Sequence, residues 1–274
     1  MSGIGSKIGE AKTSVVRPPQ PRRPGLANDR QNCQIPFMRR CVTACLCWLL
    51  AGCYSPDKAP ARLAAAPAPA PPTAGHGNYP ESWWTPVPKA GAPGWEILPQ
   101  EAGPGEVILS KRNELGLLSN FAATPFTFHG KRYASLEGFW QMMKYPEGPA
   151  DPRANFPDIT WACTRAQVSQ MTGFEAKHAG DLGERNMQAM GITWVSFEGR
   201  RFEYKPKVPG EHYRLIVEAT REKVRQNPEV KRVLLATGDL VLKPDHHQER
   251  DAPAAWRYYD ILTQIRTELQ QGKE

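Results

Sequence analysis

An α+β fold, mainly helical with a small sheet, is what this sequence predicts from residue 106 to the C-terminus. Three observations point to it. Tyr258, Ile261, Leu262, Ile265 and Leu269 recur at helical spacing and mark one buried stripe. Two short runs, 125–128 and 131–134, flank His129-Gly130, a two-residue hairpin turn. Between these regions lie segments with helix start and stop signals and no internal repeat.

Taken in order, Val107-Ile108-Leu109 reads as a strand, followed by the hairpin. Ser135 caps a helix that runs to Met143 or Lys144 and stops at Tyr145-Pro146. A second helix opens at Thr164 and stops near Gly173. The third spans 212–226 and is broken by Asn227-Pro228, where Pro228 opens a fourth that Gly238 ends. Leu240-Val241-Leu242 is a short strand, and the last helix covers 254–270.

The first 105 residues have a different texture. Met38-Arg39-Arg40, the apolar run 41–50 and then Ala51-Gly52-Cys53 match a charged, an apolar and a small-residue region of an export signal. The run is too short to span a bilayer. Leu50-Ala51-Gly52-Cys53 resembles the lipobox of bacterial lipoproteins, which makes Cys53 the expected lipidation site and the cell envelope the expected location. Residues 1–37 then read as an extension ahead of a start at Met38, 38–53 as the signal, and 54–105 as an Ala/Pro-rich tether. Trp83, Trp84 and Trp95 are unusual in a pure spacer and suggest that its later part docks on the domain that spans 106–274.

Charge excludes one function class. Residues 1–40 contain eight Lys/Arg against two acids, whereas from Cys41 onward 27 bases face 26 acids. The formal charge of +7 therefore belongs to the tail, and the domain has no excess with which to track phosphates of a nucleic acid. Five of six cysteines precede residue 54, so no disulfide framework is expected within the domain, and Cys163 has no nucleophile signature. Asp245-His246-His247 offers too few ligands on one side of an extended segment for a metal, and none is expected.

The chemistry concentrates in 135–144. On a helix Glu137, Gln141 and Lys144 share one face, while Leu136, Phe139, Trp140 and Met143 cover the core side. Glu137 falls in the first turn, where the helix dipole favours a fixed anion.

Leu118-Ser119-Asn120-Phe121, Pro125-Phe126, Gly130-Lys131-Arg132-Tyr133 and Ser135-x-Glu137 with Gln141 and Lys144 occur in an order and spacing that resemble the NADAR family. Arg232-Val-Leu-Leu-Ala-Thr237 and Arg266 resemble its late helices. The resemblance implies an N-glycosidase that needs no cofactor and no metal, acting on riboflavin precursors or removing ADP-ribose from modified guanine. It also implies that Glu137 is the catalytic acid or base, that Asn120, Gln141 and Lys144 line the site, and that Trp194 is a pocket tryptophan. The family usually has His or Gln where Gly138 stands, and a late Asp-x-x-Trp-Gly for which Asp245 and Asp251, each ahead of Trp256, are candidate counterparts.

Cleavage of an N-glycosidic bond passes through an oxocarbenium-like state that a carboxylate stabilises, or whose attacking water it deprotonates. Glu137 suits that task. Trp194 and Trp256 are available as walls for a planar base and Lys144 as a cation for phosphate. The expected function is hydrolysis of a small ribosylated nitrogen compound. The rival expectation is a non-catalytic envelope module that binds nucleotide-like ligands or a partner protein.

Overall fold

The structure, a computed structural model, describes residues 76–273. Cys53, the expected export signal, the expected extension before it and the expected tether up to residue 75 lie outside the described residues. The described part is α+β, with six α-helices and six short strands.

The small sheet expected from the sequence is, among the described residues, three two-stranded pieces. Strand β1 (Glu106–Ile108) runs parallel to β6 (Val241–Lys243), with Glu106 opposite Val241 and Ile108 opposite Lys243. Strands β2 (Phe126–Phe128) and β3 (Lys131–Tyr133) form the expected hairpin. His129 and Gly130 turn it with φ of 48° and 72°, as two left-handed turn residues require. Strands β4 (Trp194–Phe197) and β5 (Arg200–Glu203) form a second hairpin that the sequence reading missed.

Helix α1 (Leu136–Met142) starts where predicted, its Gly138 N–H bonded to the Ser135 hydroxyl at 2.9 Å. Its exposed carbonyls are closed by two arginines rather than by a glycine. Arg153 donates to the carbonyls of Met143 (3.0 Å) and Lys144 (3.2 Å), and Arg165 to those of Met142 (3.0 Å) and Tyr145 (2.9 Å). On the core side Phe139 is fully buried, with Tyr133, Phe128 and Phe197 rings at 4.9, 5.5 and 5.5 Å.

Helix α2 (Arg165–Ser169) is capped by Thr164, as predicted. The longest helix, α3 (Gly173–Ala189), was not predicted; Gly173 opens it at φ 55°. Its buried face consists of Ala176, Ala179, Gly180, Gly183 and Met187, too small to register as an apolar stripe. The small face lets α3 lie directly on α1. A Cβ on Gly183 would stand 3.0 Å from the Tyr145 ring and 3.2 Å from Lys144. Helices α4 (Glu211–Gln226) and α5 (Pro228–Ala236) follow the expected pattern; the last helix, expected from 254, is a 3-10 turn at Ala254–Trp256 and then α6 (Tyr258–Gln270), which buries Tyr258, Ile261, Leu262 and Ile265 but only half-buries Leu269.

The expected tether does not reach residue 105. Trp83 is fully buried and donates its indole N–H to Glu114 at 2.8 Å, while the Trp84 indole donates to the Glu106 carbonyl at 3.0 Å. Leu98 is buried, and Ile97 N–H bonds the Asp245 carbonyl at 2.9 Å. The segment is therefore part of the domain: two tryptophans bury more apolar surface than a spacer could leave in water.

Candidate functional site

The polar face of α1 does not meet bulk solvent. It forms a wall of a cavity of about 620 Å³, which Asn120, Glu137, Gln141, Lys144, Asp245 and Trp256 all line. Six residues proposed from sequence thus converge from four segments. Trp194 does not join them. It lies on β4 between the guanidinium groups of Arg153 (4.6 Å) and Arg201 (4.3 Å), so the pocket tryptophan expected there is a stacked structural residue instead. Asp251, the other candidate acid, is exposed and does not line the cavity.

Glu137 is almost completely buried. Its backbone N–H bonds the Asn120 carbonyl at 2.9 Å, which ties the loop at 118–121 to the first turn of α1. From below, the buried ammonium of Lys223 donates to the carbonyls of Ser119 (2.7 Å) and Leu118 (3.4 Å), and burial pushes this lysine down to about 7.

Gln141 Nε2 donates to Glu137 Oε1 at 2.7 Å. Burial raises the Glu137 carboxyl above its ordinary range; the Gln141 hydrogen bond and the charges of Lys144, Lys177 and Lys111 oppose this without overcoming it. The sequence reading put the helix dipole first, whereas burial acts in the opposite direction on this carboxyl. A dipole effect worth at most about a kcal/mol at a first turn is smaller than the cost of desolvating a carboxylate.

Lys144 is buried as well, and its charge is spoken for. Its ammonium donates to Glu184 (2.9 Å) and the Gly180 carbonyl (3.1 Å) and sits 4.9 Å over the Tyr204 ring. Glu184 also pairs with Lys205 at 2.6 Å. The free cation expected for a phosphate thus shares the Glu184 carboxylate with Lys205. Gly138, where the family pattern has a larger residue, points away from this chemistry. A Cβ there would stand 2.6 Å from the Met171 carbonyl oxygen and 2.9 Å from that of Val168, so α2 requires a glycine.

Across the cavity, Asp245 is 2 % exposed and pairs with Lys111, with His246 Nδ1 at 3.0 Å and with the Tyr258 hydroxyl at 3.3 Å. These partners hold the Asp245 carboxylate below its usual range despite burial, chiefly through the His246 hydrogen bond and the Lys111 charge. Trp256 lies 6.3 Å from Tyr204, and its buried indole N–H has no acceptor in the protein.

Phe121, Tyr204 and Tyr258 complete the aromatic walls, and Trp95 and Phe174 stand at the cavity with their rings 6.3 Å apart. None of these five was proposed as a site residue from sequence, although Phe121 lies in the 118–121 motif, Tyr258 in the stripe of the last helix and Trp95 among the tryptophans unusual for a spacer; Tyr204 and Phe174 come from segments with no local signal. Among the described residues, no group of three or more His, Cys, Asp or Glu side chains is placed to hold a metal ion.

No family model matches the chain, and no curated protein matches it. Among solved structures, the chain is similar to the NMR structure of the E. coli protein YbiA, at 20% identity over 61% of this chain and 86% of that chain, with a TM-score of 0.38.

Proposed function

We propose that the domain hydrolyses the N-glycosidic bond of a small ribosylated nitrogen compound, with Glu137 as the proton donor to the departing base. The observation behind this reading is a carboxyl group with raised pKa, buried at the wall of a cavity of about 620 Å³. A protonated carboxyl can deliver its proton to the leaving nitrogen as the C–N bond lengthens, which makes the base a neutral leaving group. Tyr204 and Trp256 offer flat walls for an aromatic base, and Gln141 fixes the direction of the carboxyl. The motif that resembles the NADAR family supports the same assignment, since Glu137, Gln141 and Asn120 all lie in it.

The test is Glu137→Gln. It keeps the shape and one oxygen but has no acidic proton, so turnover should fall by about a hundredfold or more while ligand binding persists. Folding should not suffer. A carboxyl whose pKa is raised on folding costs stability as pH rises from about 4.5 through the folded value, so the variant should melt at or above the wild-type temperature at neutral pH. Release of free base or ADP-ribose from several ribosylated substrates is the measurement. Equal turnover in both proteins removes Glu137 from the mechanism, and a wild type that binds but never cleaves would leave the non-catalytic binding module as the function.

A further inference from the structure

Lys223 takes no part in the proton transfer, and its position is unusual. It stands in the last turn of α4, 1 % exposed, and among the described residues it has no carboxylate partner. Taking an ammonium out of water without a counter-ion costs folding free energy, and a methionine of similar length would fill the same space without that cost. What only the amine supplies is N–H donors. Two of them are directed at adjacent carbonyls, those of Ser119 (2.7 Å) and Leu118 (3.4 Å).

Neighbouring residues of an extended chain point to opposite sides, so two adjacent carbonyls that meet one ammonium fix a bend at 118–119. The next two carbonyls are held from other directions: that of Asn120 accepts the Glu137 N–H at 2.9 Å, and that of Phe121 the Gly173 N–H at 3.0 Å. Helices α4, α1 and α3 thus suspend one short segment by its carbonyls. Asn120 lines the cavity, and its carboxamide makes no hydrogen bond among the described residues, which leaves it available to a ligand. Lys223 itself does not line the cavity. The Glu137 carboxyl is oriented separately, by α1 and the Gln141 amide.

Resting on the N-glycosidase reading, we propose that Lys223 is a positioning residue for the substrate, holding the 118–119 bend that sets the Asn120 carboxamide at the cavity. Its loss frees the Leu118 and Ser119 carbonyls, and the segment relaxes at the end that leads into Asn120. The effect therefore falls on binding of the ribosyl compound, while proton transfer from Glu137 is spared. Burial that pushes Lys223 down to about 7 does not end this role, because a neutral amine still has two N–H groups, one for each carbonyl.

The experiment uses the full chain with Lys223→Met, Asn120→Ala and the double variant beside the wild type, each assayed on the ribosylated substrate that the wild type cleaves. Lys223→Met should raise KM by about tenfold and change kcat by less than about threefold. Because Lys223 acts through Asn120, the double variant should have the KM of Asn120→Ala rather than the product of the two losses. A residue that merely supports the fold would not produce that equality. Thermal melts establish that each variant is folded. If the methionine variant does not fold, Lys223→Gln, whose shorter side chain reaches one carbonyl at most, takes its place and should raise KM as well. A folded variant with wild-type KM, or losses that multiply in the double variant, overturns this role while the dependence on Glu137 stands. A wild type with no turnover on any ribosyl substrate overturns the hydrolase reading and this role together.

Discussion

Replacing Gly180 by alanine places a methyl group where the tip of Gln141 now sits. The added Cβ would lie 1.9 Å from Gln141 Oε1 and 2.2 Å from its Cδ, whereas ordinary contact begins at 3.4 Å, so the carboxamide must withdraw by roughly 1.5 Å. A shift of that size takes Nε2 out of its 2.7 Å hydrogen bond with Glu137. A hydrogen bond to a neutral carboxyl contributes about 0.5–1.5 kcal/mol, which corresponds to a loss of roughly twofold to tenfold in turnover if it orients the proton donor. Stability should change little, because alanine favours a helix interior over glycine by about 1 kcal/mol and the displaced group is a side-chain tip rather than backbone. Turnover and thermal melts are measured together, with the Glu137 carboxyl titrated by carbon NMR. Since the Gln141 bond opposes the rise in the Glu137 pKa, the variant's midpoint should move further up. A Gly180→Ala protein with wild-type turnover and an unchanged midpoint would refute the link from α3 packing to the Glu137 proton.

Two further outcomes test the fold. Trp83→Ala removes a fully buried side chain and should cost about 3–5 kcal/mol, lowering the melting temperature by about 10 °C or more; a solvated spacer would show almost no change. His212 is buried beside the rings of Trp140 and Tyr204, and burial together with the Lys144 charge pushes it down to about 3. The folded state therefore keeps this ring neutral while the unfolded chain takes up a proton below about 6.5, so its contribution is complete above that pH and is lost at about 1.4 kcal/mol per unit as pH falls toward 3. His212→Phe should flatten that part of the pH dependence of stability in urea titrations, and an unchanged slope between pH 6.5 and 4.5 would contradict the assignment.

What the sequence by itself determined is local. The His129-Gly130 turn, the Ser135 and Thr164 caps, the Pro228 start and the α6 stripe are each set by the conformational needs of a few adjacent residues, and they stand where predicted. That Asn120, Glu137, Gln141 and Lys144 share one site was suggested by motif spacing, whereas Asp245 and Trp256 were each one of two alternatives, between which the cavity decides. Packing decided the rest. Helix α3 escaped notice because its inner face is glycine and alanine, a choice that only the nearness of α1 explains. Trp83 and Trp84 were unusual for a spacer from the start, but that they pack against β1 and Glu114 shows only once those are beside them. Trp194 had the right residue type but the wrong neighbours, two arginines that no local pattern announces. Burial raises the Glu137 carboxyl, opposite to what its first-turn position suggests, and the ring orientation of His246 depends on Asp245, Gln248 and the Trp256 carbonyl together. Helix and turn signals are written into neighbouring residues, whereas desolvation and hydrogen-bond direction arise only when distant segments close around a group and exclude water from it.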